Sequence, residues 1–111
     1  MSKAKSSPAE AAPEPQPEPA LAPYVPSPWV VNRNYVIRTV TYHVVGRLKA
    51  VYAAELVLAD AAWVADSGRW NEALRTGKLS EVEPFPGEVI VGRGAVVDAC
   101  EWTHPLPREV K

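Results

Sequence analysis

The sequence predicts an α+β domain: a small antiparallel sheet or partial barrel of about five strands with one short packed helix, preceded by a proline-rich extended N-terminal arm. Three observations carry this expectation. Short runs rich in β-branched and aromatic residues recur between Tyr35 and Trp102, separated by glycine, proline and aspartate. A single stretch, around Trp70, has convincing helical spacing. Eight of the twelve prolines (Pro8, Pro13, Pro15, Pro17, Pro19, Pro23, Pro26 and Pro28) crowd into the start of the chain. Residues 1–28 therefore read as an arm and residues 29–111 as the domain.

In the arm, Pro13-Glu14-Pro15-Gln16-Pro17-Glu18-Pro19 alternates proline with polar residues. Each proline lacks an amide donor and keeps the residue before it out of the helical region, so polyproline II or disorder is expected. Leu21, Tyr24, Val25 and Trp29 place apolar anchors among Pro23, Pro26 and Pro28, a composition suited to docking in a groove.

The first strand spans Tyr35 to Tyr42. Both of its faces are partly apolar, Tyr35 and Ile37 on one and Val36 and Val40 on the other, so both faces should be covered. His43 to Gly46 is expected to turn the chain, and Arg47 to Tyr52 to return it. Glu55 to Val64 is the third strand, bent near Asp60, with Leu56 and Leu58 sharing a buried face. Asp66-Ser67-Gly68 forms a corner in which Asp66 or Ser67 caps the next helix. In that helix Trp70, Ala73 and Leu74 fall at i, i+3 and i+4, making one apolar stripe, and Gly77 supplies a left-handed cap. Glu83 to Gly87 reads as a loop and Glu88 to Val91 as the fourth strand. Gly92-Arg93-Gly94 reads as a tight turn exploiting glycine's access to positive φ, and Ala95 to Trp102 as the fifth strand. Pro105 and Pro107 close the domain.

A domain of this size sits where one core supplies only about 3–5 kcal/mol, which favours support from self-association or a partner. The net charge of −1 is spread evenly, with ten basic and ten acidic side chains in the domain. That balance lacks the basic footprint of a nucleic-acid binder. No apolar run approaches a membrane span, and Lys3 and Lys5 are not followed by the apolar stretch of a secretory signal.

Cys100 is the only cysteine, so no intrachain disulfide forms; it reads as a small core side chain, in a reducing compartment. Cys100, His43 and His104 lack the paired short spacings of a structural zinc site, so no metal or other cofactor is expected. Nor does the chain contain a nucleophile–base signature, and Asp60, Asp66, Glu81 and Glu83 read as caps and solvated loops, so no enzyme is expected. Trp70 reads as core, and Trp63 and Trp102 as core or contact residues. Arg38 and Arg47, on neighbouring strands near Tyr42, either hold a phosphate or pair with Glu55 and Asp60.

Three segments, taken in order, resemble a family of small proteins of unknown function encoded by tailed phages and prophages. They are Tyr35-Val36-Ile37-Arg38-Thr39 with Val44-Val45-Gly46-Arg47-Leu48, then Glu55 to Ala61 with Trp63, Ser67-Gly68 and Leu74, then Glu88-Val89-Ile90-Val91 with Val96 and Cys100. The family pattern is an Arg-Thr strand, a Gly-x-Leu return strand, a Val-x-Leu strand ending in Ala-Arg, a tryptophan-containing corner, a short helix and a late aliphatic strand. This chain has Ala62 where the pattern has arginine, and Trp63 alone where it has an aromatic pair. The likeness covers residues 35–102 and omits the arm. It implies a phage origin and no known enzymatic role.

Together these readings lead to one expectation and one alternative. The expectation is a virion structural accessory, a capsid decoration (cement) or minor virion protein, made in the host bacterial cytoplasm and carried on the particle. It would bind other virion proteins, foremost the major capsid protein, and its own copies, without nucleic acid or membrane. Its partner-binding residues would be Leu21, Tyr24, Val25, Trp29, Arg38, Arg47, Trp63 and Trp102. The alternative is a counter-defence protein that sequesters a nucleotide signal, using Arg38, Arg47 and Tyr42 with Trp63 or Phe85 stacked on a base.

Overall fold

The computed structural model describes residues 27–111. Leu21, Tyr24 and Val25 lie outside the described residues. Six strands form one antiparallel sheet, accompanied by one short helix: β1 (Asn34–Thr39), β2 (His43–Val51), β3 (Glu55–Asp66), α1 (Trp70–Thr76), β4 (Glu81–Pro84), β5 (Val89–Gly92) and β6 (Val96–Glu101). A 3-10 turn, Arg93–Ala95, leads from β5 into β6. The sheet runs β4-β3-β2-β1-β6, and β5 shares the β4 edge of β3.

Long β3 makes this branching possible. Its first part, Glu55 to Leu58, pairs with β5, and its last part, Ala62 to Asp66, pairs with β4. Between them the register against β2 steps from Arg47↔Ala59 to Val45↔Ala62, so β3 carries one extra residue there. Asp60 sits in that bulge with φ 53°, the left-handed region that aspartate tolerates better than most residues. Because strand faces alternate with a period of two, the extra residue switches parity. Leu56 and Leu58 face the first core before the bulge, and Ala61 faces it afterwards.

The sheet has cores on both faces. The first is built from Tyr35, Ile37, Val44, Leu48, Leu56, Leu58, Ala61 and Val91. The second joins Val36, Val45, Ala62 and Val64 to Ala73 of α1, Leu79, Val82 and Trp102, with Trp70, Leu74 and Leu106 packed on it. Ile37, Leu48, Leu56 and Leu58 are fully buried; burial of each such side chain is worth about 1.5–3 kcal/mol. β1 feeds both cores, Ile37 one and Val36 the other, as its two apolar faces require.

The first hairpin turns earlier than expected. β1 stops at Thr39, and His43 already belongs to β2, opposite Arg38. The cause is the Thr39 hydroxyl. It donates to the Tyr42 carbonyl (2.7 Å) and accepts the amides of Tyr42 (3.0 Å) and Thr41 (3.3 Å), closing the turn with a side chain.

Three further expectations are corrected. Glu81 to Pro84 is a strand, on the sheet's edge where a residue without an amide donor is tolerated. The connection at Gly92-Arg93-Gly94 is the 3-10 turn, and neither glycine adopts positive φ. Cys100 is exposed: β6 is an edge strand, and among the described residues none covers that part of it.

The helix begins without a side-chain cap at Arg69. Asp66 instead accepts the Gly68 amide (2.8 Å) and Ser67 donates to the Gly68 carbonyl (2.9 Å), so both shape the corner. At the other end Gly77, at φ 80°, donates to the Ala73 carbonyl as the sequence predicts. A closing segment then straps the second core: His104 donates through Nε2 to the Leu74 carbonyl (2.8 Å), and Lys111 and Val82 exchange backbone hydrogen bonds (3.0 and 3.1 Å). No helix among the described residues is long and apolar enough to cross a membrane.

Candidate functional site

The alternation that buries Ala62 and Val64 turns Trp63 to the opposite face, near the end of the sheet, where it stays 38% exposed. Its neighbours arrive from three separate elements. Tyr42 ends the β1–β2 turn, one residue from the start of β2, and Val44 of β2 lies opposite Trp63. On the other side Glu83 is paired with Trp63, and Pro84 with Ala62. The amide of Phe85 donates to the Ala61 carbonyl (2.8 Å), which holds the Pro84-Phe85-Pro86 loop against the strand.

Tyr42, Trp63, Pro84, Phe85, Pro86 and Val89, together with Glu83, line an open groove of about 400 Å³. Tyr42 and Phe85 are 36% and 37% exposed, so three aromatic side chains are presented together on strand-anchored positions. Such a groove suits extended, proline-bearing or aliphatic chain segments held through apolar contact.

Of the tryptophans named from sequence, only Trp63 belongs to this surface. Trp102 is 2% exposed in the second core, its indole N–H given to the Pro105 carbonyl (3.2 Å) and its ring set edge-on to His104 at 5.0 Å. A buried indole of this kind has no face left for a partner. Trp29 packs on the first core, edge-to-face with Tyr35 at 5.1 Å. The Tyr35 hydroxyl accepts the Val30 amide (2.9 Å) and donates to the Pro28 carbonyl (3.4 Å), so Trp29 anchors the arm's root to its own domain.

Arg38 and Arg47 do not converge. Arg47 lies opposite Asn34 and Arg38 opposite His43, four residues apart along β1, or roughly 13 Å of strand. Arg38 forms a bidentate pair with Asp98 (2.8 and 2.5 Å) and stacks over Trp70, 4.8 Å from the ring centroid. The hydrogen bonds from Arg38 hold the Asp98 carboxyl below the usual carboxylate value, and Asp98 in turn raises Arg38 further above its own. Arg47 pairs with Asp60 (3.4 Å) and reaches Asn32 (3.1 Å), while Arg108 approaches the second Asp60 oxygen (3.5 Å). The expected Arg47–Asp60 pair therefore forms, but Arg38 chooses Asp98 over Glu55.

Among the described residues no group of three or more His, Cys, Asp or Glu side chains is placed to hold a metal ion. Sequence reasoning singled out Trp63, and weighed Tyr42 and Phe85 only as nucleotide contacts. It missed Pro84, Pro86 and Val89, whose one visible signal was the Pro-Phe-Pro run. No family model, curated protein or solved structure matches this chain.

Proposed function

We propose that this protein is a structural accessory of a phage particle, a capsid decoration or minor virion protein. The observation that carries the reading is the aromatic groove of Tyr42, Trp63 and Phe85, in a chain that also carries a proline-rich N-terminal segment. Val40 in the first turn, with Ile90 and Val97 on β5 and β6, adds further apolar surface, each more than 60% exposed. Exposed apolar positions on an otherwise evenly charged domain suit contact with other proteins. The β6-β1-β2-β3-β5 order, joined at its ends by the 3-10 turn, fits a partial barrel wrapped round the first core.

The partners in this reading are the major capsid protein and neighbouring copies of the chain, met through the domain surface and through Leu21, Tyr24 and Val25 of the arm. The phage assignment rests on the sequence resemblance over residues 35–102. Nucleotide sequestration fares worse, because it needs Arg38 and Arg47 to converge on one phosphate and each is already engaged by a different carboxylate. Mass spectrometry of purified particles from the phage or induced prophage that carries the gene tests the proposal. The chain is expected among the stoichiometric particle proteins, and its absence from mature particles overturns the reading.

A further inference from the structure

We propose that the Tyr42–Trp63–Phe85 groove receives the segment Leu21-Ala22-Pro23-Tyr24-Val25-Pro26 of a second copy, so that two chains exchange arms. Three observations select this occupant. The first is chemical. Polyproline II segments of the Pro-x-x-Pro type dock in aromatic-lined grooves, because proline rings pack on aromatic faces and the stiff segment loses little entropy on binding. Pro23-Tyr24-Val25-Pro26 is the one Pro-x-x-Pro sequence in the chain.

The second is charge. Glu83 is the charged residue among those that line the groove. The upstream proline run carries Glu14 and Glu18, which would face that carboxylate, whereas no charged residue occurs between Glu18 and Arg33. The uncharged segment is the compatible one.

The third is reach. Hydrogen bonds from Asn32 to the Leu48 carbonyl and from Leu48 to the Arg33 carbonyl, with the Tyr35 contacts, hold residues 28–33 at the Asn34 end of β1. The groove lies two to three strands across, beside β3 and β5: Trp63 stands level with Ile37 through Val44, and Val89 stands level with Leu48 through Leu58. Strand rise and spacing put either end of the groove roughly 14 Å from the arm's root. Four residues of polyproline II extend about 12 Å, so residues 23–26 would be spent in the crossing and Pro23-Tyr24-Val25-Pro26 would not lie in its own groove. A second copy removes that constraint, and a two-fold arrangement fills both grooves at once.

The inference rests on the assembly reading above for the arm's role, and its test is separate. Light scattering on the full chain across a concentration series is expected to show twice the single-chain mass, falling to one chain on dilution. Trp63→Ala and the double variant Pro23→Ala/Pro26→Ala should each halve that mass. An equimolar mixture of the two variants should restore a dimer, because one intact arm still meets one intact groove. Should Trp63→Ala not fold, a photo-crosslinker at position 24 in mixed light and nitrogen-15 chains serves instead, with Tyr42 or Phe85 peptides linked across isotopes. Cross-links confined to single chains, cross-links outside the groove, or a monomer at every concentration would overturn the proposal. A monomer that is nonetheless present in particles sinks this inference alone, and a dimer absent from particles sinks only the virion reading.

Discussion

Arg38 shows how a surface residue can be committed without being buried. Asp98 takes two of its hydrogen bonds and Trp70 takes its face. The folded carboxyl of Asp98 therefore titrates below the ordinary aspartate value of 3.8, chiefly through the Arg38 hydrogen bonds. A depressed carboxyl contributes stability that is complete above its unfolded value and is lost as pH falls through the lower folded one. Carbon-13 NMR of the Asp98 carboxyl should give a midpoint under 3.8, and a midpoint at or above it would show that the pair does not persist in solution. Gly46 is committed differently. A Cβ there would meet the Ala61 Cβ at 2.8 Å and the Ala61 Cα at 3.0 Å, so β2 and β3 approach too closely for any side chain. Gly46→Ala is expected to destabilise the fold by about 1–3 kcal/mol in urea denaturation, as overpacking into backbone does.

Among the elements, β3 shows the most physical contrivance, and Asp60 is its hinge point. Its left-handed backbone costs a β-branched residue about 1–2 kcal/mol, whereas its exposed pairs with Arg47 and Arg108, at 3.4 and 3.5 Å, are long and solvent-screened and each worth only a few tenths to ~1 kcal/mol. Asp60→Asn should therefore shift the urea midpoint little, and Asp60→Val markedly more; equal effects would mean that charge, not backbone, sets the site. Helix α1 was legible in the sequence because Trp70, Ala73, Leu74 and Gly77 all follow from local spacing and local conformation. The bend near Asp60 was legible too. The parity switch that it imposes was not, because that depends on register against β2. The hairpin was misplaced because Thr39 counted as a strand former while its hydroxyl was closing a turn.

At the scale of the whole molecule, the sheet assembles a surface that no local stretch announces. Tyr42, Trp63 and Phe85 stand far apart in sequence, and strand pairing brings them to one groove. Trp102 looked equally available by composition, yet the strap from Pro105 onward closes over it. Composition identified which residues have contact chemistry; topology decided which of them keep a face to offer. The particle and arm-exchange experiments belong at this scale, since both ask what that face meets. One consequence follows from β3 alone. It is a wall of both cores, with Leu56 and Leu58 in one and Ala62 and Val64 in the other. Neither half can melt while its twin stays native, so a nick or a thermal fluctuation that frees this strand forfeits the entire globule at once.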